Sequence, residues 1–189
     1  YSFALNTRLP ADIRIQKSEE VPRSFHPRFC RTVKTYEYRI LNCRYALPTV
    51  RLYSDYVYYP LDVDKMRRAA QYLIGEHDFK AFSSAGGQQK TTVRTLYSID
   101  IRSEYLNPEA DPEEDAYAGF RPKIVTITVK GNGFLYNMVR IIAGTLEKAA
   151  LGIYPPEHVR EILESCDRRL SAPKAPARGL TLLSVDYSE

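Results

Sequence analysis

Between Thr35 and Leu41, and again between Ser54 and Tyr59, the chain is rich in aromatic and β-branched residues, the composition of strands. The segment Arg44 to Arg51, which contains Pro48, separates them. The period then changes. Behind Asp62, a residue suited to an N-cap, Val63, Met66, Ala70 and Leu73 recur at helical spacing, and Gly75 follows as a stop. Residues 76–92 run polar, with Gly86 and Gly87 together, and predict a long, mobile loop of the kind that often carries function. Tyr97, Ile99 and Ile101 alternate with polar neighbours, as do Val125, Ile127 and Val129, which predicts a second antiparallel pair. From Leu135 to Leu151 the apolar residues Met138, Ile141, Ile142, Leu146 and Ala149 return to helical spacing. Pro156 opens a shorter helix with Val159, Ile162 and Leu163 facing inward. The proline-rich stretch Ala172 to Pro176 leads to a last strand, Leu180 to Tyr187. The order β, β, α, β, β, α, α, β, without a repeated βαβ crossover, predicts an α+β fold: a mostly antiparallel sheet with helices packed on one face.

Composition adds limits. At 189 residues and 44% hydrophobic the chain can form one well-cored domain. It contains no run of eighteen apolar residues and opens on no signal-peptide pattern. A soluble, cytoplasmic protein with no membrane partner is expected. Cys30, Cys43 and Cys166 are odd in number and widely spaced, so neither disulfides nor a zinc site is suggested. The net charge of +4 is uneven: residues 1–51 hold ten Lys or Arg against four Asp or Glu, whereas residues 103–120 hold six acids and no base. A basic lobe beside an acidic insertion fits a polyanionic partner at one face. Tyr1 to Leu5 is apolar enough to belong inside a structure, and no methionine precedes it. The chain reads as beginning within a longer one.

The stretch Val129-Lys130-Gly131-Asn132-Gly133-Phe134-Leu135-Tyr136-Asn137-Met138-Val139-Arg140-Ile141-Ile142-Ala143-Gly144 resembles the most characteristic block of the TruA-type tRNA pseudouridine synthases. Three further blocks follow that family's order: Ser24 to Phe29 leading into Lys34-Thr35-Tyr36-Glu37-Tyr38, then Gly75 to Phe79 with Phe82, and Ala172-Pro173 to Gly179-Leu180. The resemblance covers essentially the whole chain and is weakest at the acidic insertion. One departure stands out. The family's nucleophile is the Asp of an Arg-Thr-Asp sequence in an N-terminal half, and no Arg-Thr-Asp occurs here. The resemblance therefore implies that residues 1–189 are the C-terminal domain of a synthase truncated at its N-terminus.

Pseudouridine formation detaches uracil from ribose, rotates it and rejoins it through carbon. It requires no redox cofactor and, in this family, no metal. The target, a uridine in the tRNA anticodon arm, must be flipped out of its stack at a cost of about a few kcal/mol. Stacking on an aromatic ring returns on the order of 1–3 kcal/mol. The resemblance gives that role to Tyr36, although a tyrosine on an amphipathic strand is ordinarily a half-buried packing residue. Arg140 matches the arginine that pairs with the nucleophilic aspartate, a task suited to a planar, bidentate guanidinium. Positions 136, 137, 143 and 144 are Tyr, Asn, Ala and Gly, so no local acid competes for it. Phe134 and Leu135 are implied to wall the uracil pocket, with Gly131 and Gly133 permitting the strand-to-helix turn before them. Arg23, His26, Arg28, Arg31 and Lys34 read as phosphate contacts. His77-Asp78 looks like a dyad, but a structural role is expected, with Asp78 capping the loop.

Two other readings compete. An α+β sheet with exposed aromatics can bind RNA without chemistry, but a pure binder has no need of Arg140 without an acid. The tyrosine-rich strand Tyr53 to Tyr59 suits a subunit interface, and the family's members are homodimers.

Overall fold

The computed structural model describes residues 1–27, 30–87, 89–106, 109 and 121–187. Arg28 and most of the acidic insertion lie outside the described residues.

The chain divides into two units, Tyr1–Cys30 and Arg31–Ser188. In the first, helix α1 (Ser2–Asn6) buries no residue, and Tyr1 and Phe3 are 99% and 85% exposed. The apolar opening does not sit inside a core as its composition suggests. Asn6 bonds Ile15 reciprocally, its Nδ2 donating to the Ile15 carbonyl at 2.9 Å and its Oδ1 accepting from the Ile15 amide at 2.8 Å.

The second unit is a six-stranded sheet: β1 (Thr32–Asn42), β2 (Asp55–Val57), β3 (Gly75–Asp78), β4 (Val93–Tyr105), β5 (Lys123–Gly131) and β6 (Leu180–Tyr187). The order is β2-β1-β5-β4-β3, with β6 also paired to β1. Among the described residues only β1 and β2 run parallel. The long β1 carries β5 along one edge, and along the other it carries β6 over residues 32–38 and β2 over residues 40–42.

Alternation sends Tyr38 and Ile40, with Val125, Ile127 and Val129, to the face covered by helices. Glu37, Arg39, Thr126 and Thr128 line an open cleft on the other face. The helices are α2 (Val63–Gln71), α3 (Met138–Ala150) and α4 (His158–Ser165). Asp62 caps α2 as expected, its side chain accepting from the Lys65 amide at 3.0 Å. Helix α2 packs on α3 and α4, and Met66, Phe79, Phe82, Met138 and Ile141 form the centre of the core.

Three local expectations need correction. Residues 76–92 are not one loop: Gly75–Asp78 pairs with Val93–Leu96 as an edge strand, and Phe79 and Phe82 are wholly buried. A polar edge strand shows no alternation, because its bonds come from a partner almost twenty residues away. Tyr97 is exposed and Leu96 buried, since a bulge between Leu96 and Ser98 shifts the two-residue period by one. Helix α3 starts at Met138 and not Leu135, because Asn137 before it is left-handed, at φ 61°. Asp78 caps the turn after β3, accepting from the Lys80 amide at 2.9 Å, while His77 Nε2 lies 3.0 Å from the Ile74 carbonyl.

Candidate active site

Strand β5 ends where two backbones meet. A Cβ on Gly131 would come within 2.8 Å of Leu96 and 2.9 Å of the Thr95 carbonyl, closer than a side chain tolerates. Gly133 has only ordinary contacts around it, so the two glycines are not equivalent. The left-handed residue of the turn is Asn137, a type that tolerates this conformation through local hydrogen bonds. Its Nδ2 donates to Ser84 Oγ at 3.1 Å, and its Oδ1 accepts from Arg140 Nη1 at 3.2 Å. The Ser84 amide in turn donates to the Tyr136 carbonyl at 3.0 Å.

This turn sets one wall of a cleft of about 250 Å³ lined by Tyr36, Phe134, Tyr136, Asn137, Arg140 and Leu180, among others. Tyr36 comes from β1, beside a bulge at which β6 carries an extra residue opposite Thr35 and Tyr36. Its ring meets Phe134 edge to face, with centroids 5.1 Å apart and planes at 84°, a favoured aromatic geometry. Leu135 also lines the cleft and is otherwise packed into the core. A larger cleft, about 570 Å³, lies on the opposite sheet face among mixed charges such as Arg39, Asp100 and Arg102 and holds none of the candidate site residues.

Arg140, in the first turn of α3, is half-buried. Its Nε donates to the Ala175 carbonyl at 2.7 Å. With the Nη1 bond to Asn137, two of its five N–H donors are engaged. Among the described residues it forms no ion pair. The guanidinium is thus oriented by neutral acceptors, with donors left over.

The basic residues are more scattered. Arg23 and His26 are exposed in the unit Tyr1–Cys30, and Arg31 is exposed at the start of the second unit. Lys34 is half-buried on β1, two residues before Tyr36 and so on the same face of the strand.

Residues 69–188 match the sequence model of a family described as tRNA pseudouridine synthase. The chain belongs to that family. Its relatives include a tRNA pseudouridine synthase A of Brevibacillus brevis, 44% identical over 187 residues that cover 99% of this chain and 70% of that protein. A tRNA pseudouridine synthase A 2 of Clostridium tetani is 45% identical over 188 residues, covering 100% and 69%. The tRNA pseudouridine synthase A of Bacillus pumilus is 40% identical over 187 residues, covering 99% and 69%. The chain spans about 70% of the length of these relatives. Membership makes it part of an isomerase family that acts on tRNA, and a binding module without chemistry is not favoured. Among the described residues no helix is long and apolar enough to cross a membrane.

In this pseudouridine synthase the motif block supplies Phe134, Asn137 and Arg140 from one turn. Sequence reading gave no role to Asn137, Ser84 or Ala175, which together orient Arg140. An Asn directly before a helical period is the one local sign of the turn. Nothing local marks Ser84 or Ala175.

Proposed function

We propose that the chain supplies the base-stacking and aspartate-orienting side of a tRNA pseudouridine synthase acting on uridines of the anticodon arm, as a homodimer in the cytoplasm. In this reading residues 1–189 are its C-terminal domain, and the nucleophilic aspartate comes from an Arg-Thr-Asp segment outside them. The observation that carries it is the cleft shared by Tyr36, Phe134 and Arg140, in which the guanidinium keeps donors unengaged and no carboxylate of the described residues meets it.

The chemistry follows from these groups. A flipped uracil stacks on Tyr36, whose ring Phe134 supports. A space of about 250 Å³, below the 300–1,000 Å³ of drug-sized sites, suits one base. The aspartate attacks the nucleoside and is held by Arg140, which favours its ionised form and fixes its rotamer. The bond from ribose C1′ to uracil N1 breaks, the base turns, and C1′ bonds to C5 as the bond to the aspartate breaks and its carboxylate is released. The C5 hydrogen leaves as a proton and N1 ends protonated, so the reaction is an isomerisation that requires no electron acceptor. Phenols are weak nucleophiles at neutral pH, so Tyr36 does not replace the aspartate. Arg23, His26, Arg28, Arg31 and Lys34 contact phosphates, and Lys34 is the one whose strand also carries Tyr36.

Tritium release from tRNA labelled at uridine C5 tests this. The 189-residue chain alone should release none, and adding a segment with the Arg-Thr-Asp sequence, in trans or by fusion, should restore turnover. In the restored enzyme, Arg140→Met and Tyr36→Leu should each lower kcat on the order of 100-fold or more with RNA affinity nearly intact. Tyr36→Phe isolates the hydroxyl. Clear release by the chain alone would show that the nucleophile lies within it and overturn the reading.

A further inference from the structure

The segment between α4 and β6 runs as a strap across α3. At Gly144 a Cβ would overlap the Pro173 carbonyl oxygen, so the strap lies directly against the helix. The Ala175 amide donates to the Arg140 carbonyl at 3.0 Å, and Arg140 Nε donates to the Ala175 carbonyl at 2.7 Å. One strap residue therefore holds both the main chain and the guanidinium of Arg140. A Cβ on Gly179, further along, would come within 2.7 Å of the Tyr38 ring.

The next residue of the strap is fastened from the other side. Tyr38 is wholly buried, and its hydroxyl lies 2.8 Å from the Pro176 carbonyl and 3.2 Å from Asp55 Oδ2. Asp55 is buried on β2, and its Oδ1 accepts from Arg178 Nη2 at 3.1 Å and from the Tyr56 amide at 2.8 Å. Arg178 belongs to the short 3-10 turn that ends the strap. Asp55 and Arg178 are 123 positions apart, and neither lines the cleft. Apolar residues could fill such a site at no cost to stability, whereas a buried carboxylate must be desolvated and paired. What the charged arrangement supplies is direction: the single Tyr38 O–H, shared between the Pro176 carbonyl and an Asp55 carboxylate that Arg178 holds, fixes where the Pro176 carbonyl points, and the Ala175 carbonyl with it.

We propose that Asp55, Tyr38 and Arg178 form a positioning device for Arg140, acting through the Ala175-Pro176 peptide to set the angle at which the guanidinium enters the cleft. The three touch no reacting atom. The importance of that angle rests on the proposed role of Arg140, but the angle itself is measurable without catalysis.

The test is the Arg140 Nε–Hε signal in ¹H–¹⁵N spectra of the 189-residue chain. In the parent, Hε should exchange slowly with water. In Asp55→Asn and Arg178→Met it should exchange at least tenfold faster, while α3 backbone amides such as those of Ile141 and Ile142 stay protected within twofold. Arg178→Lys, which keeps the charge, should fall between. A lower melting temperature with Hε exchange unchanged within twofold would mean that the cluster only stabilises the fold, and overturns the proposal. Should Asp55→Asn fail to fold, the half-exposed Arg178 decides by the same criterion. In the restored enzyme the same variants should lose kcat at least tenfold with KM within twofold; a change in KM alone also overturns it. If the parent releases no tritium even when complemented, the proposed function fails, while the Hε measurement still judges the positioning.

Discussion

Glu147 sits on α3, one residue before Lys148, whose Nζ is 4.0 Å from its carboxylate. Burial pushes the Glu147 carboxyl above the ordinary glutamate range; the Lys148 charge opposes this and the Asp55 charge adds to it. The sign for stability follows. The fold favours the protonated form, so the contribution is complete at pH values below the unfolded glutamate pKa of about 4.3 and is lost as pH rises through the elevated folded value. Glu147→Gln is therefore expected to melt a few degrees higher than the parent at neutral pH and to converge with it near pH 4. Thermal melts across that range check it, and a gap independent of pH would contradict the assignment. The same paired reading applies to Tyr38, whose hydroxyl is pushed well above the usual phenol range by burial first and then by Asp55, with Arg140 opposing. It remains a neutral donor to the strap at any pH the protein meets.

At the scale of elements, the strap and α3 act as one object. Gly144 lies inside a helix, where Gly costs about 1 kcal/mol relative to Ala, yet a Cβ there would overlap a carbonyl oxygen of the strap. Overpacking against backbone costs about 1–3 kcal/mol, so the clash outweighs the gain in propensity. Gly144→Ala should lower the melting temperature by roughly 2–8 °C, and a variant at least as stable as the parent would show that the strap yields easily. The helices were legible because their periods are local: Val63, Met66 and Ala70 with the Asp62 cap, and Met138, Ile141, Ile142 and Leu146. What escaped depends on distant partners. Strand β3 is polar and exists because β4 pairs with it. The parallel pairing of β2 with β1 through Ile40 and Asp55 leaves no mark in either segment. Tyr36 and Arg140 could be singled out because their motif blocks are specific. Asn137, Ser84 and Ala175 support them through single hydrogen bonds, which impose no period on the sequence.

For the whole molecule, affinity for RNA should be weak and set by salt. Four phosphate contacts among Arg23, Arg28, Arg31, Lys34 and His26 give a slope of log K against log salt of about −3. Filter binding of an anticodon-arm RNA across a salt series measures it. Absence of binding at low salt would refute the phosphate role of these residues, and an affinity indifferent to salt would indicate a partner of another kind. The fold class was readable from element order alone, but the division at Cys30 was not, because composition changes little across it.

Strand β1 has a further consequence, for the order in which the protein can be made. Its pairing with β2 spans only about 15 residues, whereas its partners on β6 lie 142 to 155 residues further along the chain. At about 5–20 residues per second of translation, the first half of β1 emerges from the ribosome roughly 7 to 30 s before the strand that will cover that edge. During that interval its backbone donors and acceptors from Thr32 to Tyr38 are open to any other extended segment, including one on a neighbouring nascent copy. The charged and polar side chains of Lys34, Thr35 and Glu37 interrupt the apolar run there, which makes the waiting strand a poorer template for aggregation.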